Sequence, residues 1–389
     1  MQTDYVRSQP VPAFLVRLLA VGAGAAVANS YYNQAFLGHL TAEFGLAAGA
    51  AAIVPVLTQA GNALGVLLLA PLGDRLERKS LILATIGALV AALVGAAVSP
   101  GFAWLTIASL AVGLFATVAQ QIVPLAVHLA PPAERGRVLG TVTGGILIGI
   151  LLARTVSGLI SDLWGWPVMF WLAAAAMIAI GAALALWLPR VPPTTDLSYP
   201  RLIGSLWTLV RTHGVLRRAA AVQFLIFAAF IGFWSNLALV LSGPTYRLGG
   251  TAVGLLALVG VAGALAAPIA GGFADRHGSR VVVSTGAGFL LVAFLIFGLA
   301  QDSLMAFVIG ILVMDLAVQS SQIATQARVY ALDATARSRL NTVFMAVMLA
   351  GGAVGAGLGG ATYAAWGWSG PCTFGAISAT LALLLSRKL

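Results

Sequence analysis

Residues 70–79 read Ala-Pro-Leu-Gly-Asp-Arg-Leu-Glu-Arg-Lys, and residues 271–280 read Gly-Gly-Phe-Ala-Asp-Arg-His-Gly-Ser-Arg. Both stretches contain an Asp-Arg pair, and the two aspartates, Asp74 and Asp275, are 201 positions apart. Three further features recur at 201 or 202 positions: Trp-Gly-Trp at 164–166 and 366–368, Arg-x-Arg at 135–137 and 337–339, and Gln121 with Gln322. Four features at one spacing indicate an internal duplication. The chain therefore consists of two related halves.

The composition around these stretches is that of a membrane protein. The 389 residues are 60% hydrophobic and 8% charged, whereas soluble chains carry about 25% charged residues. Twelve apolar runs are long enough to cross a bilayer: 13–36, 48–72, 80–98, 102–127, 138–161, 167–188, 219–241, 250–272, 281–300, 303–327, 340–364 and 369–386. None alternates like a barrel strand, and lipid otherwise admits only helices. We predict an all-α membrane protein with twelve transmembrane helices in two six-helix bundles.

The duplication places the bundles at residues 1–188 and 219–389, joined by a cytoplasmic linker at 189–218. The linker begins with three prolines. Its later part, with Leu202, Leu206, Leu209 and Val210, has the pattern of an amphipathic helix on the membrane surface. A plain tether is the alternative.

The excess of basic residues, 21 against 11 acidic, is explained by orientation. With both termini in the cytoplasm, every Lys and Arg lies on the cytoplasmic side except Arg154, inside a run, and Arg247, in an outer connection. That distribution follows the positive-inside rule. We therefore predict a bacterial-type inner-membrane location and no nucleic-acid partner, since such a partner requires the bases on one solvated face.

The two opening stretches resemble the cytoplasmic motif of the major facilitator superfamily, Gly-x-x-x-Asp-Arg-x-Gly-x-Arg-Arg or Lys. The second copy matches at Gly271, Asp275, Arg276, Gly278 and Arg280, whereas the first has Ala70 and Glu77 in place of Gly. The resemblance implies two halves that rock about a central site. It also implies a cytoplasmic gate formed by Asp74, Arg75, Arg78, Lys79, Asp275, Arg276 and Arg280. Alternatively, these bases only fix the topology.

Asp315 is the one acidic residue near the middle of an apolar run. A charge there costs about 2.5 to 3.5 kcal/mol on insertion scales, and burial favours the neutral form. In the superfamily, helices one, four, seven and ten line the cavity, which implies that Asp315, on the tenth, is the first candidate for proton coupling. The alternative is a structural carboxylate that is satisfied by Gln319, Gln322 or a base.

Arg154 is the one base deep in a run, on the fifth helix. It could hold an anionic substrate, pair with Asp315 or extend toward the outer interface. The same helix has glycines that predict close helix packing, at positions 140, 144, 145, 149 and 158. It weakly resembles the Gly-rich fifth-helix motif of the family's antiporters but lacks its Gly-Pro pair.

Further polar and aromatic side chains in the runs are candidates for a cavity that binds an organic solute. They are Asn29, Tyr31, Tyr32, Asn33, Gln34, Gln59, Asn62, Gln120, Gln121, Trp234, Asn236, Gln319 and Gln322. Some of these side chains are expected to join helices to one another instead.

The sequence contains no phosphate-binding loop, metal-ligand cluster or nucleophile-base pair, so we predict no cofactor, no metal and no enzyme activity. We predict a monomeric secondary transporter in the lipid bilayer that exports a small organic solute in exchange for protons. Export is implied by resemblance to the short twelve-helix efflux branch. The first helix has no acidic residue between Arg17 and Glu43, which leaves coupling to Asp315 or indicates uncoupled transport. The alternatives are an importer or facilitator of an anionic solute bound by Arg154, and a non-transporting receptor or scaffold.

Overall fold

A computed structural model of the chain describes residues 12–47, 49–193, 195, 197–265, 278–333 and 336–389, and of 261–265 it describes the backbone. The described residues form helices and turns, without a β-strand. The motif residues Gly271, Asp275 and Arg276 lie outside the described residues, so the gate predicted at the second copy is described only at Arg280.

The helices of the first half are α1 (Ala13–Ala28), α2 (Leu37–Glu43), α3 (Ile53–Leu69), α4 (Leu72–Arg75), α5 (Arg78–Ala97), α6 (Phe102–Ala116), α7 (Val118–Leu129), α8 (Arg135–Trp164) and α9 (Trp166–Trp187). Those that follow are α10 (Tyr199–Thr212), α11 (Gly214–Ser242), α12 (Gly250–Leu265), α13 (Ser279–Leu299), α14 (Leu304–Tyr330), α15 (Arg337–Trp366) and α16 (Ser369–Ser386).

Ten spans in the described part of the chain are long and apolar enough to cross a membrane. Two shorter apolar helices, α1 and α12, bring the number of crossings to twelve. The fold class predicted from the apolar runs is therefore confirmed, and in the described part of the chain α10 is the longest helix outside those runs.

Two of the predicted runs are interrupted where the sequence indicated continuous helices. The first run ends as α-helix at Ala28, where the Asn29 side-chain amide donates to the carbonyls of Ala25 (2.7 Å) and Ala26 (3.2 Å). A 3₁₀ turn over Tyr32–Ala35 follows. The fourth run divides at Thr117 into α6 and α7. Irregular backbone at membrane depth is tolerated where protein or a cavity surrounds it.

Glycines set the closest helix contacts in both halves. A Cβ added to Gly149 of α8 would lie 2.7 Å from the Cα of Gly24 on α1. Gly351 of α15, 202 positions later, approaches the Cα of Phe224 on α11 in the same way, at 2.8 Å. The small-residue surface predicted for the fifth helix is confirmed at Gly145, Gly149 and Gly158, whereas Gly140 and Gly144 meet nothing within 4 Å.

The linker contains the predicted amphipathic helix, α10, rather than a plain tether. Its leucines Leu202, Leu206 and Leu209 are buried. Leu206 and Leu209 belong to a small apolar core shared with the first turns of α11 and α15. Helix α10 therefore packs along the second half.

We call the end of the bundle that carries Asp74, Arg78 and the first turns of α8 and α15 the basic end. The end that carries His39, Asp162 and Gly250 is the opposite end. The polar residues of the apolar runs lie between these two ends.

Candidate functional site

Five side chains contact one another inside the bundle, and Asp315 interacts electrostatically with one of them, Arg154; we call these six side chains the central cluster. They are Tyr31, Gln34, Arg154, Phe230, Trp234 and Asp315. The first three belong to the first half of the chain and the last three to the second. The interruption after α1 brings Tyr31 and Gln34 into the cluster.

Arg154 lies at the centre of this cluster and is 1% exposed. Its Nε donates to Gln34 Oε1 at 2.8 Å. The guanidinium carbon is 5.0 Å from the ring centroid of Tyr31, 5.7 Å from that of Phe230 and 4.3 Å from that of Trp234. Such cation–π contacts are worth about 2 kcal/mol or more each when water is excluded. Arg154 thus points into the bundle and not toward the outer interface.

Asp315 on α14 is 4% exposed, and its Oδ2 makes no hydrogen bond in the described chain. Its carboxyl group faces Gly260 on α12, where an added Cβ would lie 3.0 to 3.2 Å from the carboxyl atoms. Neither Gln319 nor Gln322 donates to it, and both are half-buried. The pairing that would make Asp315 a satisfied structural carboxylate is therefore not found among the described side chains.

The charges of Arg154 and Asp315 attract each other across the two halves of the chain. No ion pair within 4.0 Å joins them in the described structure. Since the medium is apolar, a charge–charge attraction at longer range is still substantial. Relative movement of the halves would change it.

Several side chains of the central region have polar atoms without a hydrogen-bond partner among the described residues. Donors of this kind are Arg154 Nη2, Trp234 Nε1 and Gln34 Nε2, and Gln59 has both amide atoms unpaired. Buried polar atoms are normally paired. These atoms can therefore bind a solute without breaking an existing bond.

Other predicted cavity residues connect neighbouring helices. Asn33 donates to Thr58 at 2.8 Å and Asn62 donates to Ser30 at 3.1 Å. Gln121 donates to Thr85 at 3.3 Å. The Asn236 amide donates to the carbonyl of Gly232 within its own helix, Tyr32 is buried, and Gln120 is half-buried.

At the basic end, Arg78 lies 3.6 Å from the Asp74 carboxylate and donates through Nε to the Gly73 carbonyl at 3.1 Å. Arg339, on α15 of the other half, also stabilises the charged carboxylate of Asp74. Arg75 and Arg280 are exposed, and Lys79 is half-buried. The motif of the first half is thus coupled electrostatically to the second half.

Glu77, which departs from the motif pattern, caps the N-terminus of α5. Its carboxylate accepts from the Ser80 hydroxyl (2.6 Å), from the amides of Lys79 and Ser80 (2.9 Å each) and from the Val191 amide (3.1 Å). Partial burial alone would raise the pKa of Glu77, but these hydrogen bonds lower it to about 2. The start of the linker is thereby tied to the motif.

At the opposite end, Asp162 at the end of α8 joins the first half to the N-terminus of α12. Its carboxylate accepts from the Gly250 amide (2.9 Å), the Thr251 amide (2.7 Å) and the Thr251 hydroxyl (2.6 Å). His39 Nε2 is 3.3 Å away. A carboxylate there is favoured by the helix dipole.

Helices α8 and α12 also touch directly beside Asp162. A Cβ at Gly158 would overlap the Gly250 carbonyl, and the Thr155 hydroxyl donates to the Gly254 carbonyl at 2.8 Å. Toward the basic end, Gly136, Gly140 and Gly144 of α8 meet nothing within 4 Å. The described contacts between these two helices therefore lie at the opposite end.

The family profile of the major facilitator superfamily matches residues 18–262 and 248–389, two overlapping stretches that together cover most of the chain. The chain belongs to the major facilitator superfamily.

Related superfamily members agree with that assignment. The chain is 39% identical to the uncharacterized transporter YgaY of Escherichia coli O157:H7 over 376 residues, 96% of this chain and 95% of YgaY. It is 32% identical to the probable transporter SCO4007 of Streptomyces coelicolor over 360 residues, 91% and 83% of the two chains. The crystal structure of the nucleoside transporter NupG superposes with a TM-score of 0.76 at 15% identity, covering 96% and 98%. The chain is thus a membrane transporter of the superfamily type. Its family and the names of its relatives point to transport of a small molecule rather than to an enzymatic reaction.

Sequence reasoning missed Asp162, His39, Phe230 and Arg339 as candidate site residues. One feature of the sequence could have indicated the contact of Asp162: it lies at the end of the fifth helix, and Gly-Gly-Thr at 249–251 begins the eighth. The distances that join them are visible only in the folded chain. Among the described residues, no group of three His, Cys, Asp or Glu side chains is placed to hold a metal.

Proposed function

We propose that the chain is a monomeric, proton-coupled secondary transporter of the bacterial inner membrane that exports a small organic solute. The observation that supports this proposal is the buried Asp315 carboxylate, which interacts electrostatically with the other buried charge, Arg154, in the opposite half. Export is supported by the resemblance to the efflux branch of the superfamily. Bacterial relatives named as transporters support the inner-membrane location.

The coupling step follows from the cost of an isolated buried charge. Asp315 is tolerated as a carboxylate while Arg154 attracts it, but an unpaired carboxylate in an apolar site is strongly disfavoured. Exchange requires that the proton and the solute occupy the central cluster in turn. With the solute gone and the outer side open, movement of the halves weakens the attraction to Arg154, and Asp315 takes up a proton. When the cytoplasmic side opens, Asp315 releases that proton and the solute binds.

Alternating access in this proposal uses the contacts at the two ends. Residues 1–188 and 219–389 move as units, connected by 189–218. The basic end faces the cytoplasm, in keeping with the positive-inside rule, so Asp162 and the α8–α12 contact close the outer side. Asp74, with Arg78 and Arg339, closes the cytoplasmic side when the outer contact opens.

The experiment compares wild type with Asp315→Asn in proteoliposomes. A thermal-shift screen of drugs, sugars, amino acids and organic anions first identifies a ligand. We expect Asp315→Asn to lose transport driven by a proton gradient while counterflow exchange without a gradient persists. The control is Asp302→Asn, an exposed carboxylate just before α14. An Asp315→Asn protein that still concentrates the solute under a proton gradient excludes the coupling role.

A second candidate is import or facilitated passage of an anionic solute. It is favoured by the three unpaired donors Arg154 Nη2, Gln34 Nε2 and Trp234 Nε1, which match an acceptor-rich group such as a carboxylate. In this case organic anions should dominate the ligands found in the screen.

Arg154→Lys tests direct binding of the anion. Lysine keeps the charge but loses the planar fork and the stacking on Trp234. Calorimetry should show binding weakened by about tenfold or more, since a hydrogen bond to a charged group contributes about 1.5 to 3 kcal/mol. Arg247→Lys, at an exposed position, should bind like wild type. Unchanged affinity in Arg154→Lys would remove Arg154 from the binding site.

A further inference from the structure

A second site lies at the basic end, away from the central cluster, where α10, α11 and α15 meet. A groove of about 420 Å³ separates the first turns of α11 from those of α15. Eight of its nine lining residues are apolar, among them Ala221, Phe224 and Val347. Arg217 is the exception, and it lies at the groove end nearest to α10.

The groove faces the membrane. Val347 precedes Val354 by 7 residues and Leu358 by 11, so all three lie on one face of α15. Val354 is 41% exposed and Leu358 is 47% exposed. Large aliphatic side chains exposed on a spanning helix contact lipid tails. The groove therefore continues a lipid-facing surface and suits a hydrocarbon chain.

The mouth of the groove is basic. Arg217 Nη1 donates to the carbonyls of Val210 and Arg211 at 2.8 Å each, which holds its guanidinium across the end of α10. Arg218 donates to the Lys388 carbonyl at 3.0 Å, and Arg211 stacks at 5.1 Å over Trp207. Among the described residues, none of these three arginines has a carboxylate within ion-pair distance. Their positive charges are therefore available to an anion.

We propose that this groove binds an anionic phospholipid. One acyl chain lies between α11 and α15, and the phosphate lies at Arg217 with Arg211 and Arg218 beside it. Basic pockets between spanning helices bind the head groups of anionic lipids. Trp207, 58% exposed on α10, is suited to the membrane interface beside them. The site is independent of the transported solute and of the direction of transport.

The chemistry predicts different effects for the two parts of the lipid. Removal of the guanidinium should weaken binding of anionic lipid more than that of zwitterionic lipid, because the choline cation of the zwitterionic head group offsets much of the attraction of its phosphate to the arginines. Filling the groove should weaken binding of anionic and neutral lipid alike, because both use the same acyl chain. A lipid that only covers the surface would respond to neither change.

The test is native mass spectrometry of the purified full-length protein with phosphatidylglycerol or phosphatidylcholine of identical acyl chains. Wild type should retain phosphatidylglycerol in preference to phosphatidylcholine. Arg217→Gln should reduce that preference by about fivefold, the effect of about one basic residue near an anionic head group. Ala221→Trp should reduce retention of both lipids.

Matched controls are Arg190→Gln, an exposed arginine of the first half, and Ala176→Trp, an exposed alanine on α9. Both should retain lipid like wild type. Since Arg217 also holds the end of α10 through its Nη1, Arg217→Lys keeps the charge without the guanidinium and should retain most of the preference. If Arg217→Gln fails to fold, Ala221→Trp with a wild-type melting temperature carries the test.

Equal retention of the two lipids by wild type would overturn the head-group assignment. Retention of phosphatidylglycerol unchanged by Ala221→Trp would overturn the groove assignment. An equal loss in Arg190→Gln and Arg217→Gln would show that net charge alone acts.

Discussion

Arg154 contacts both halves of the chain at once, through Gln34 and Tyr31 on one side and Phe230 and Trp234 on the other. Its importance could be predicted from the sequence, because a charged side chain inside an apolar run costs free energy on insertion and is usually kept for a function. The same holds for Asp315. Tyr31 and Trp234 were predicted as cavity residues, but their position around Arg154 together with Phe230 could not be predicted, since aromatic residues are common in such runs and only the fold brings these three together.

Glu77 illustrates a residue whose role the sequence concealed. As a departure from the motif it gave no positive signal, yet it forms four hydrogen bonds at the start of α5. Its amide and hydroxyl donors are local, but the Val191 amide comes from the linker, 114 positions away. That contact depends on how the linker folds back.

Glu77→Gln should lower stability by about 1 kcal/mol at neutral pH, the usual cost of a weakened helix cap. The pKa of Glu77 is lowered to about 2 from an ordinary value of 4.5. Its stabilising effect is therefore complete above pH 4.5 and is lost as the pH falls toward 2. Thermal melts in detergent should show the difference from wild type shrinking below pH 4.5. A difference that stays constant with pH would refute the cap.

At the scale of helices, the length of the apolar runs was sufficient to predict the twelve crossings. The breaks at Asn29 and Thr117 were not predictable from length, because a run long enough to cross the membrane does not show where a helix within it ends, even though residues 29–34 are polar or aromatic. The side-chain amide of Asn29 satisfies two carbonyls that a continuing helix would have bonded to amides. Helix interruption therefore depends on local hydrogen bonds that hydropathy does not register.

The contact between α1 and α8 provides a prediction for helix packing. Gly149→Val should destabilise the protein by about 1 to 3 kcal/mol, as overpacking does, because its Cβ would enter the Gly24 backbone. Gly140→Val on the same helix meets open space and should melt close to wild type. Thermal unfolding of the two variants in one detergent checks this. Equal melting temperatures would contradict the close contact.

At the scale of the whole molecule, the two ends of the bundle have different contacts between halves. Asp162 and the glycines of α8 join the halves at the opposite end, while Asp74 and Arg339 interact at the basic end. Twofold duplication was evident from the spacing of 201 and 202 residues. Which end is closed could not be predicted, since one sequence encodes both conformations of a transporter.

Asp162→Asn should weaken the closed opposite end, since the amide is a poorer acceptor for Gly250 and Thr251 and loses its attraction to His39. Spin labels at Ala42 and Thr245, exposed on the two halves at that end, report the distance between them in a Cys372→Ser background. The variant should show a larger long-distance population than wild type. Asp302→Asn is the control, and an unchanged distribution in Asp162→Asn would exclude a latch at this residue.

The most direct test of alternating access uses this pair together with a second pair at Thr141 and Ser338, exposed at the basic end. Pulsed electron–electron double resonance in proteoliposomes measures both distances, with and without a solute found by the thermal-shift screen. We predict opposite changes, with the Thr141–Ser338 distance shortening in the population in which the Ala42–Thr245 distance lengthens. The account would be contradicted if neither distance changed on addition of the solute, or if both lengthened together, because rocking of the two halves requires opposite changes.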